Sequence, residues 1–225
     1  MTQNRDQFAF VLAALRERLR TGAGVQGEAL TVSDLAVAWG VSATPVREAL
    51  ARLAGEGLVE DRRGRGYFAW RMDVSDLMDL YRAQETLTLA ALASLARCVA
   101  EPAPPAGGHT LAATPVAIVS QDEGRIDGPL FWEALTRRVA REAGHRFLLA
   151  AQRQLADRLA PARRVEPMVL LEGLDALNDL ADLVNRRAWQ ALSTDILPFF
   201  ARRCAAAGAI VDRLRVEKSS FIEGL

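Results

Sequence analysis

The sequence contains few of the residues that build disulfides, metal centres and membrane spans. Its 225 residues include only two cysteines and two histidines. Cys98 and Cys204 lie far apart and follow no metal-binding or redox spacing, which favours a reduced, cytoplasmic protein. No uninterrupted apolar run approaches the roughly 18 residues that predict a membrane span. The N-terminal residues MTQNRDQF lack the basic-then-apolar order of a signal peptide.

The chain also lacks net charge and any catalytic constellation. The formal charge is zero at pH 7. Residues 1–72 contain ten arginines against eight acidic residues, which leaves +2, and the remainder carries −2. Nucleic-acid binding would therefore depend on local clusters of charge. No G-x-S-x-G motif, nucleophile–base pair or phosphate-binding loop is present, so we expect no enzyme.

Two short helices are predicted between Leu30 and Leu53. Ser33 and Asp34 are good N-cap residues for an apolar segment that ends at Gly40. A second helix follows Ser42, with Pro45 in its first turn, where a missing N–H costs nothing. The second helix has an apolar stripe at i, i+4 and i+7, formed by Val46, Leu50 and Leu53.

The second helix carries polar side chains at its N-terminal end, and a basic hairpin follows it. Ser42, Thr44 and Arg47 are the side chains that a helix-turn-helix protein would insert into the DNA major groove. Residues 58–60 and 67–70 are predicted strands, joined by a turn over residues 61–66 with positive φ at its glycines. We expect the turn to contact phosphates or the minor groove through its three arginines, Arg62, Arg63 and Arg65.

These motifs resemble the GntR family of bacterial transcription regulators over about residues 7–70. The resemblance rests on Ser42-x-Thr44-Pro45-Val46-Arg47-Glu48-Ala49-Leu50-x-Arg52-Leu53, then Glu56-Gly57-Leu58-Val59, then Arg63-Gly64-Arg65-Gly66. It implies an N-terminal winged helix-turn-helix and a set of DNA-binding residues: Ser33, Ser42, Thr44, Pro45, Arg47, Arg52, Arg63, Gly64 and Arg65. The family usually has arginine where this chain has Ala43, which implies a different operator or weaker binding.

The motif Asp76-Leu77-x-Asp79-Leu80-Tyr81-x-x-x-Glu85 resembles the FadR-like (FCD) branch, whose effector domain is all-helical. We accordingly predict a mainly α protein. Its winged helix-turn-helix domain would span residues 1–72, and a helical effector-binding and dimerisation domain of about six helices would span residues 73–225. Apolar periodicity predicts helices over residues 8–20, 76–100, 129–143, 147–159, 170–185, 188–207 with a kink at Pro198, and 209–216.

One segment of the helical domain departs from the family pattern. Three prolines and two glycines in Glu101–Gly108 end the preceding helix. The segment from His109 to Gly128 has little periodicity and suggests at most a short helix near residues 115–121. The family's full helix is therefore shortened or remodelled here.

The resemblance also implies a divalent-metal site with one aspartate and three histidines, which this chain does not supply. Trp132 occupies the position of the first metal histidine, and His145 that of an asparagine. The later helices contain no histidine, so we expect no bound metal and no cofactor. Asp127 and His145 could form only a weak site.

An acidic effector, such as an organic acid, would then need arginines. The candidate effector-binding residues are Arg82, Glu85, Trp132 and Arg137, with Arg141 as a further arginine. Two other interpretations stay open. Arg82 and Glu85 could pair on a helix surface, and apolar side chains could fill the cavity.

The predicted function is a DNA-binding transcription regulator, expected to be a repressor. It would bind a palindromic double-stranded operator as a homodimer and respond to a small metabolite. The first alternative is a ligand-blind DNA-binding dimer whose helical domain serves only for dimerisation. The second is an enzyme built on the helical bundle, which the missing catalytic groups disfavour.

Overall fold

The computed structural model describes residues 2–22, 26–100 and 128–223, and these form a mainly helical protein with one small sheet. The predicted short helix near residues 115–121 and the break at residues 101–108 lie outside the described residues. The elements in chain order are α1 (Thr2–Thr21), α2 (Val32–Trp39), α3 (Ala43–Gly55), β1 (Val59–Arg62), β2 (Gly66–Ala69), α4 (Val74–Ala100), α5 (Gly128–Glu142), α6 (Arg146–Val169), α7 (Leu174–Asn185), α8 (Trp189–Asp195) and α9 (Leu197–Glu223).

The first core joins α1, α2, α3 and the hairpin. Val11 and Leu15 of α1 are fully buried against the apolar stripe of α3, where Ala49 is also fully buried. Because alanine projects only a methyl group, its position lets neighbouring backbones approach closely. The same core continues into the hairpin through Val59 and Ala69, so burial on one face fixes how the hairpin sits against α3.

The hairpin is antiparallel, and its strands pair from Val59↔Ala69 to Arg62↔Gly66. Gly64 and Gly66 have φ of 73° and 88°, which confirms the predicted positive φ in the turn. The strands are displaced from their predicted bounds, and Arg62 lies in β1 rather than in the turn. A third short segment pairs with β2 through an Ala29↔Phe68 bridge.

The caps of α2 and α3 differ in part from their predicted form. Gly40 ends α2 in the left-handed conformation, with φ 62°, as predicted. The N-cap of α2 is Thr31, so the prediction of Ser33 and Asp34 as capping residues is wrong. The Ser33 hydroxyl instead donates a hydrogen bond to Asp34 Oδ1 at 3.2 Å. Ser42 is the N-cap residue of α3, but its side chain makes no cap hydrogen bond.

The remaining helices, α4 to α9, form a bundle with two apolar cores. One core lies where α4, α6 and α9 meet, around Leu77, Leu159 and Ile210. The other surrounds Trp132 of α5 and includes residues of α4, α7, α8 and α9. No helix in the part of the chain that the structure describes is long and apolar enough to cross a membrane.

Several helix ends in the bundle differ from their predicted positions. The α6 helix continues past Leu159 to Val169 although Pro161 and Pro167 lie within it. Leu159, Ala162 and Val165 are fully buried, and their packing offsets the backbone hydrogen bonds that the prolines remove. The predicted single helix over residues 188–207 is two helices that meet at Ile196, and the predicted final helix belongs to α9.

Candidate nucleic-acid interface

The α3 helix buries one face and exposes the other. Pro45, Val46 and Leu50 are buried, whereas Thr44 and Arg47 are exposed. Thr44, Arg47, Glu48 and Ala51 follow one another at helical spacing, so the exposed residues share one outer face. The buried position of Pro45 means that it shapes the first turn of α3, and the prediction that it binds DNA directly is not supported by its surroundings.

The hydroxyl of Ser42 is exposed at the start of α3 and is not used to cap the helix. Backbone N–H groups in the first turn of a helix lack intrahelical acceptors and attract anions. The polar side chains at this end, with the N–H groups of the first turn, form a surface that suits a phosphate backbone and the base edges beside it.

Arg52 lies near the C-terminal end of α3, where it makes a structural ion pair and also faces solvent. Its Nε donates to Glu56 Oε1 at 2.8 Å, and Glu56 Oε2 accepts from Arg16 of α1 at 2.6 Å. The Glu56 carboxylate therefore ties the end of α3 to α1. Since one edge of the Arg52 guanidinium is engaged in this way, only its remaining N–H groups are available to a phosphate.

The hairpin presents two of its three arginines to solvent at its tip. Arg63, Gly64 and Arg65 form the exposed turn. Arg62 instead pairs with Glu60 at 2.7 Å and lies 4.3 Å from the centroid of the Phe68 ring. The expectation that all three arginines lie in the turn is therefore wrong, because Arg62 lies in β1, and the basic tip consists of Arg63 and Arg65.

The N-terminal half, α1 to β2, and the bundle are joined by an ion-pair network. Arg16 and Arg20 of α1 both donate to the carboxylate of Asp157 on α6. Arg20 also donates to Glu133 of α5 at 2.6 Å. Burial alone would lower the pKa of Arg20, but its hydrogen bonds to Glu133 and Asp157 outweigh burial and raise that pKa. We call this set the α1–bundle network: Arg16, Arg20, Glu133 and Asp157.

The four predicted effector-binding residues lie in different surroundings. Arg82 is exposed and pairs with Asp79 at 3.5 Å, whereas one open interpretation paired it with Glu85. Glu85 is half-buried. Arg137 donates to Glu133 one turn away on α5. Trp132 is 1% exposed and packs against Phe131, Phe199 and Phe200, so it belongs to the core rather than to a cavity wall.

Trp132 is also part of a buried polar cluster that the sequence did not reveal. Its Nε1 donates to Glu172 at 3.1 Å, and Glu172 accepts from Arg203 Nη1 and Nη2 at 2.7 and 2.8 Å. Arg203 Nε donates to Glu166 at 3.2 Å, and the Tyr81 hydroxyl donates to Glu166 at 2.6 Å. Burial would raise the pKa of Glu172, but the hydrogen bonds and charge of Arg203 hold it below its ordinary value.

The interior of the bundle is thus more polar than predicted. Arg163 and Arg203 are fully buried although arginine is usually exposed. Arg163 follows Leu159 by four residues on α6 and precedes Glu166 by three. That spacing on an apolar helix face was the one signal in the sequence that could have identified it as an inward-facing charge.

Residues 2–22, 26–100 and 128–223 contain no group of three or more His, Cys, Asp or Glu side chains suited to a metal ion. His145 is the N-cap residue of α6, and its Nε2 lies 3.1 Å from Ser94 Oγ. Asp127, the other residue of the weak candidate site, lies outside the described residues. The expected absence of a metal stays a prediction.

Curated proteins similar to this chain are bacterial regulators. A protein of Streptomyces ambofaciens, named an uncharacterised HTH-type transcriptional regulator in an unstable DNA locus, is 36% identical over 94 residues, 42% of this chain and 40% of that protein. An uncharacterised HTH-type regulator of Mycobacterium tuberculosis is 32% identical over 123 residues, 55% of this chain and 49% of that protein. The chain therefore spans less than half the length of these relatives.

Solved structures share the fold over most of the chain. A putative GntR transcriptional regulator from Rhodococcus sp. RHA1 superposes with a TM-score of 0.67 at 16% identity, covering 90% of this chain and 97% of that one. McbR/YncC of E. coli superposes with a TM-score of 0.59 at 17% identity, covering 89% and 96%. These likenesses confirm the predicted fold class, an N-terminal winged helix-turn-helix followed by a helical bundle.

The family model of the N-terminal part agrees with this geometry. Residues 8–68 match the bacterial regulatory proteins of the gntR family. The match includes α2, α3 and the hairpin, together with most of α1. Residues 8–68 are therefore similar to the GntR family, and the part of the chain that resembles this family is the winged helix-turn-helix.

Proposed function

We propose that the chain is a transcription repressor that binds a palindromic operator as a homodimer and releases it in response to a small metabolite. The proposal that the chain binds DNA rests on the exposed face of α3. The N-terminal half of this face carries Ser42, Thr44 and Arg47. In a helix-turn-helix protein this end of the second helix contacts base edges. Arg63 and Arg65 at the hairpin tip supply a second contact, to phosphates or the minor groove.

An exposed apolar surface supports the homodimer, and the α4 motif supports the division into two domains. Met168, Leu171 and Leu174 expose large apolar side chains at the junction of α6 and α7, and Leu171 is 98% exposed. A second copy of the chain would cover such a surface. The proposed domains are residues 1–72 for DNA binding and residues 73–225 for dimerisation and effector binding, as in the FadR-like branch that the α4 motif resembles.

The test is selection of binding sites from random DNA duplexes by the full chain, followed by sedimentation of the selected complex. We expect an enriched palindrome whose half-sites are about one helical turn apart, bound by two protomers. Recovery of no shared sequence would contradict the DNA-binding assignment. Binding of one protomer to a non-palindromic site would contradict the homodimer alone.

The response to a metabolite is tested on the selected duplex. An effector should lower the affinity for that duplex at fixed salt. If the operator is bound and no metabolite that binds the protein changes its affinity for DNA, the helical domain serves only for dimerisation.

A further inference from the structure

The outer face of α3 carries two charged side chains of opposite sign, Arg47 and Glu48. Both are exposed, on the same face as Thr44 and Ala51. Neither side chain forms an ion pair or a hydrogen bond with another residue that the structure describes. An arginine suits a surface that approaches DNA, whereas a carboxylate is repelled by the phosphates. The presence of Glu48 on this face therefore needs a specific reason.

The cation best placed to neutralise Glu48 is engaged elsewhere. Arg52 follows Glu48 by four residues, which is the favoured order for an acid and a base on a helix. Arg52 Nε instead donates to Glu56 at 2.8 Å, and the Glu56 carboxylate is also held by Arg16 of α1 at 2.6 Å. The fold thus directs Arg52 towards the C-terminal end of α3, and the Glu48 carboxylate stays available on the outer face.

The position of Glu48 also gives it little part in the stability of α3. The helix begins at Ala43, so Glu48 lies beyond the first turn, where an acidic side chain would interact with the helix dipole. The buried face of α3 is formed by apolar residues such as Val46 and Leu50, and Glu48 is not among them. Its carboxylate is accordingly directed at whatever α3 contacts on its outer face.

A carboxylate accepts hydrogen bonds and does not donate them, and the major groove offers it few donors. The base edges there carry two kinds of donor, the N4 amino group of cytosine and the N6 amino group of adenine. Adenine also presents the acceptor N7, which repels a carboxylate, whereas guanine and thymine present acceptors without an amino group. A carboxylate that reaches the base edges therefore favours cytosine and penalises the other three bases.

We infer that Glu48 is a specificity-determining residue whose carboxylate accepts a hydrogen bond from the N4 amino group of a cytosine in the operator. The inference rests on the proposed function, in which the N-terminal half of α3 enters the major groove. Glu48 lies one turn after Thr44 on the same outer face, about 6 Å further along the helix axis. The adjacent Arg47 is a donor that suits guanine, so the two side chains have complementary preferences within one half-site.

The test compares the sites that the full chain and its variants select from random DNA duplexes. The unaltered chain should require cytosine at one base pair of each half-site. Glu48→Ala should accept all four bases at that pair and keep the rest of the site. Glu48→Gln should shift the preference towards adenine, because a side-chain amide pairs with both N6 and N7. Asp179→Asn removes the same charge from an exposed position of α7 and should select the unaltered site.

A chemical change in the DNA tests the same contact on the unaltered protein. Methylation at N4 of the required cytosine replaces the amino hydrogen that faces the major groove and keeps the Watson–Crick pair. It should weaken binding by the unaltered chain about tenfold or more, as expected for the loss of a hydrogen bond to a charged group. The same methylation should change the affinity of Glu48→Ala by less than about twofold, because the coupled partner is already absent.

The inference is overturned if Glu48→Ala selects the same cytosine as the unaltered chain, or if methylation weakens both proteins equally. It is also overturned if Glu48→Ala loses affinity for the operator and for an unrelated duplex to the same extent, since that result indicates a structural role. A selected palindrome that does not depend on Glu48 rejects this inference alone. A site that depends on Glu48 but binds one protomer rejects the proposed homodimer alone. Selection of no shared sequence rejects both.

Discussion

Asp157 of α6 accepts a hydrogen bond from Arg20 of α1, across 137 positions of sequence. Arg16 donates to the other oxygen of the same carboxylate. The Asp157 side chain is 15% exposed, and those of Arg16 and Arg20 are 28% and 20% exposed. These groups are shielded enough from water for the contact to matter to stability, unlike an isolated pair on the surface.

Asp157→Asn should lower the free energy of unfolding by about 1–3 kcal/mol, because charged donors lose a charged acceptor in a partly buried site. The measurement is urea denaturation followed by circular dichroism. The matched control is Asp212→Asn, whose side chain is 73% exposed and pairs with Arg215. That change should stay within about 0.5 kcal/mol. Equal effects of the two substitutions would show that the α1–bundle network adds nothing to stability.

Arg47→Ala should weaken binding to the selected operator by about 1–3 kcal/mol, as expected for the loss of a guanidinium that contacts a base or phosphate. Arg47 is exposed on the outer face of α3, so its removal leaves the core unchanged. Fluorescence anisotropy at fixed salt measures the effect, with Arg153→Ala on α6 as the control of equal charge. An operator affinity that stays the same in Arg47→Ala would remove α3 from the interface.

Replacing Arg63 and Arg65 together by alanine should reduce affinity for all duplexes to a similar extent. The two side chains lie on an exposed turn, and removing each phosphate interaction should flatten the slope of log K against log salt by about one unit. Affinity is measured over a range of salt for the operator and for an unrelated duplex. A slope that does not change, together with weaker discrimination between the duplexes, would mean that the hairpin contacts bases.

Stability should decrease in acid partly through Glu172. The folded-state pKa of Glu172 lies below its ordinary value, so the folded state binds a proton less readily than the unfolded chain. The stabilising contribution is therefore complete above the ordinary value of about 4.5 and is lost as the pH falls below it through the folded-state pKa.

Glu172→Gln should lower the free energy of unfolding at pH 7 by about 1–3 kcal/mol, because Arg203 loses a charged partner. It should also reduce the dependence of stability on pH below about 4.5. Asp79→Asn, at an exposed residue paired with Arg82, is the control. If both variants keep the full acid dependence, other carboxylates are responsible for it.

Sequence predicted the DNA-binding half better than the bundle because the signals in the first half are local. These signals are the left-handed glycine at Gly40, the proline in the first turn of α3 and the glycines of the hairpin. Each of them can be read from adjacent residues alone. There were two errors in this half. The N-cap of α2 was misplaced because Thr31, Ser33 and Asp34 are all residue types that can cap a helix, and Arg62 was misplaced because its partners lie within the sheet. Arg62 pairs with Glu60 and contacts the Phe68 ring within the sheet, so it does not belong to the tip.

The bundle depends on contacts between residues far apart in sequence. Nothing near Arg203 indicates that Glu166 and Glu172 will be its partners, and nothing near Arg20 indicates Asp157. The predicted helix end at residue 159 was wrong, because buried packing carries α6 on to Val169. The predicted effector-binding residues were chosen as polar positions on helices, and helical spacing alone does not reveal which of several arginines faces inward. Arg163 was therefore missed, while Arg82 and Arg137 were selected.

The turn between α3 and the hairpin packs against the bundle. Gly57 has φ 73°, and a Cβ atom at this position would overlap the guanidinium of Arg158 on α6. The Arg158 guanidinium also lies 5.7 Å from the Trp70 ring centroid, beyond the other end of the hairpin. With a rise of about 3.3 Å per strand residue, the tip lies roughly 20 Å from this turn. A rotation of about 10° at the turn would move Arg63 and Arg65 by about 3–4 Å, a large part of the ~6 Å width of a minor groove. If the tip contacts DNA as proposed, the packing of Arg158 against this turn therefore helps to determine how far the tip reaches.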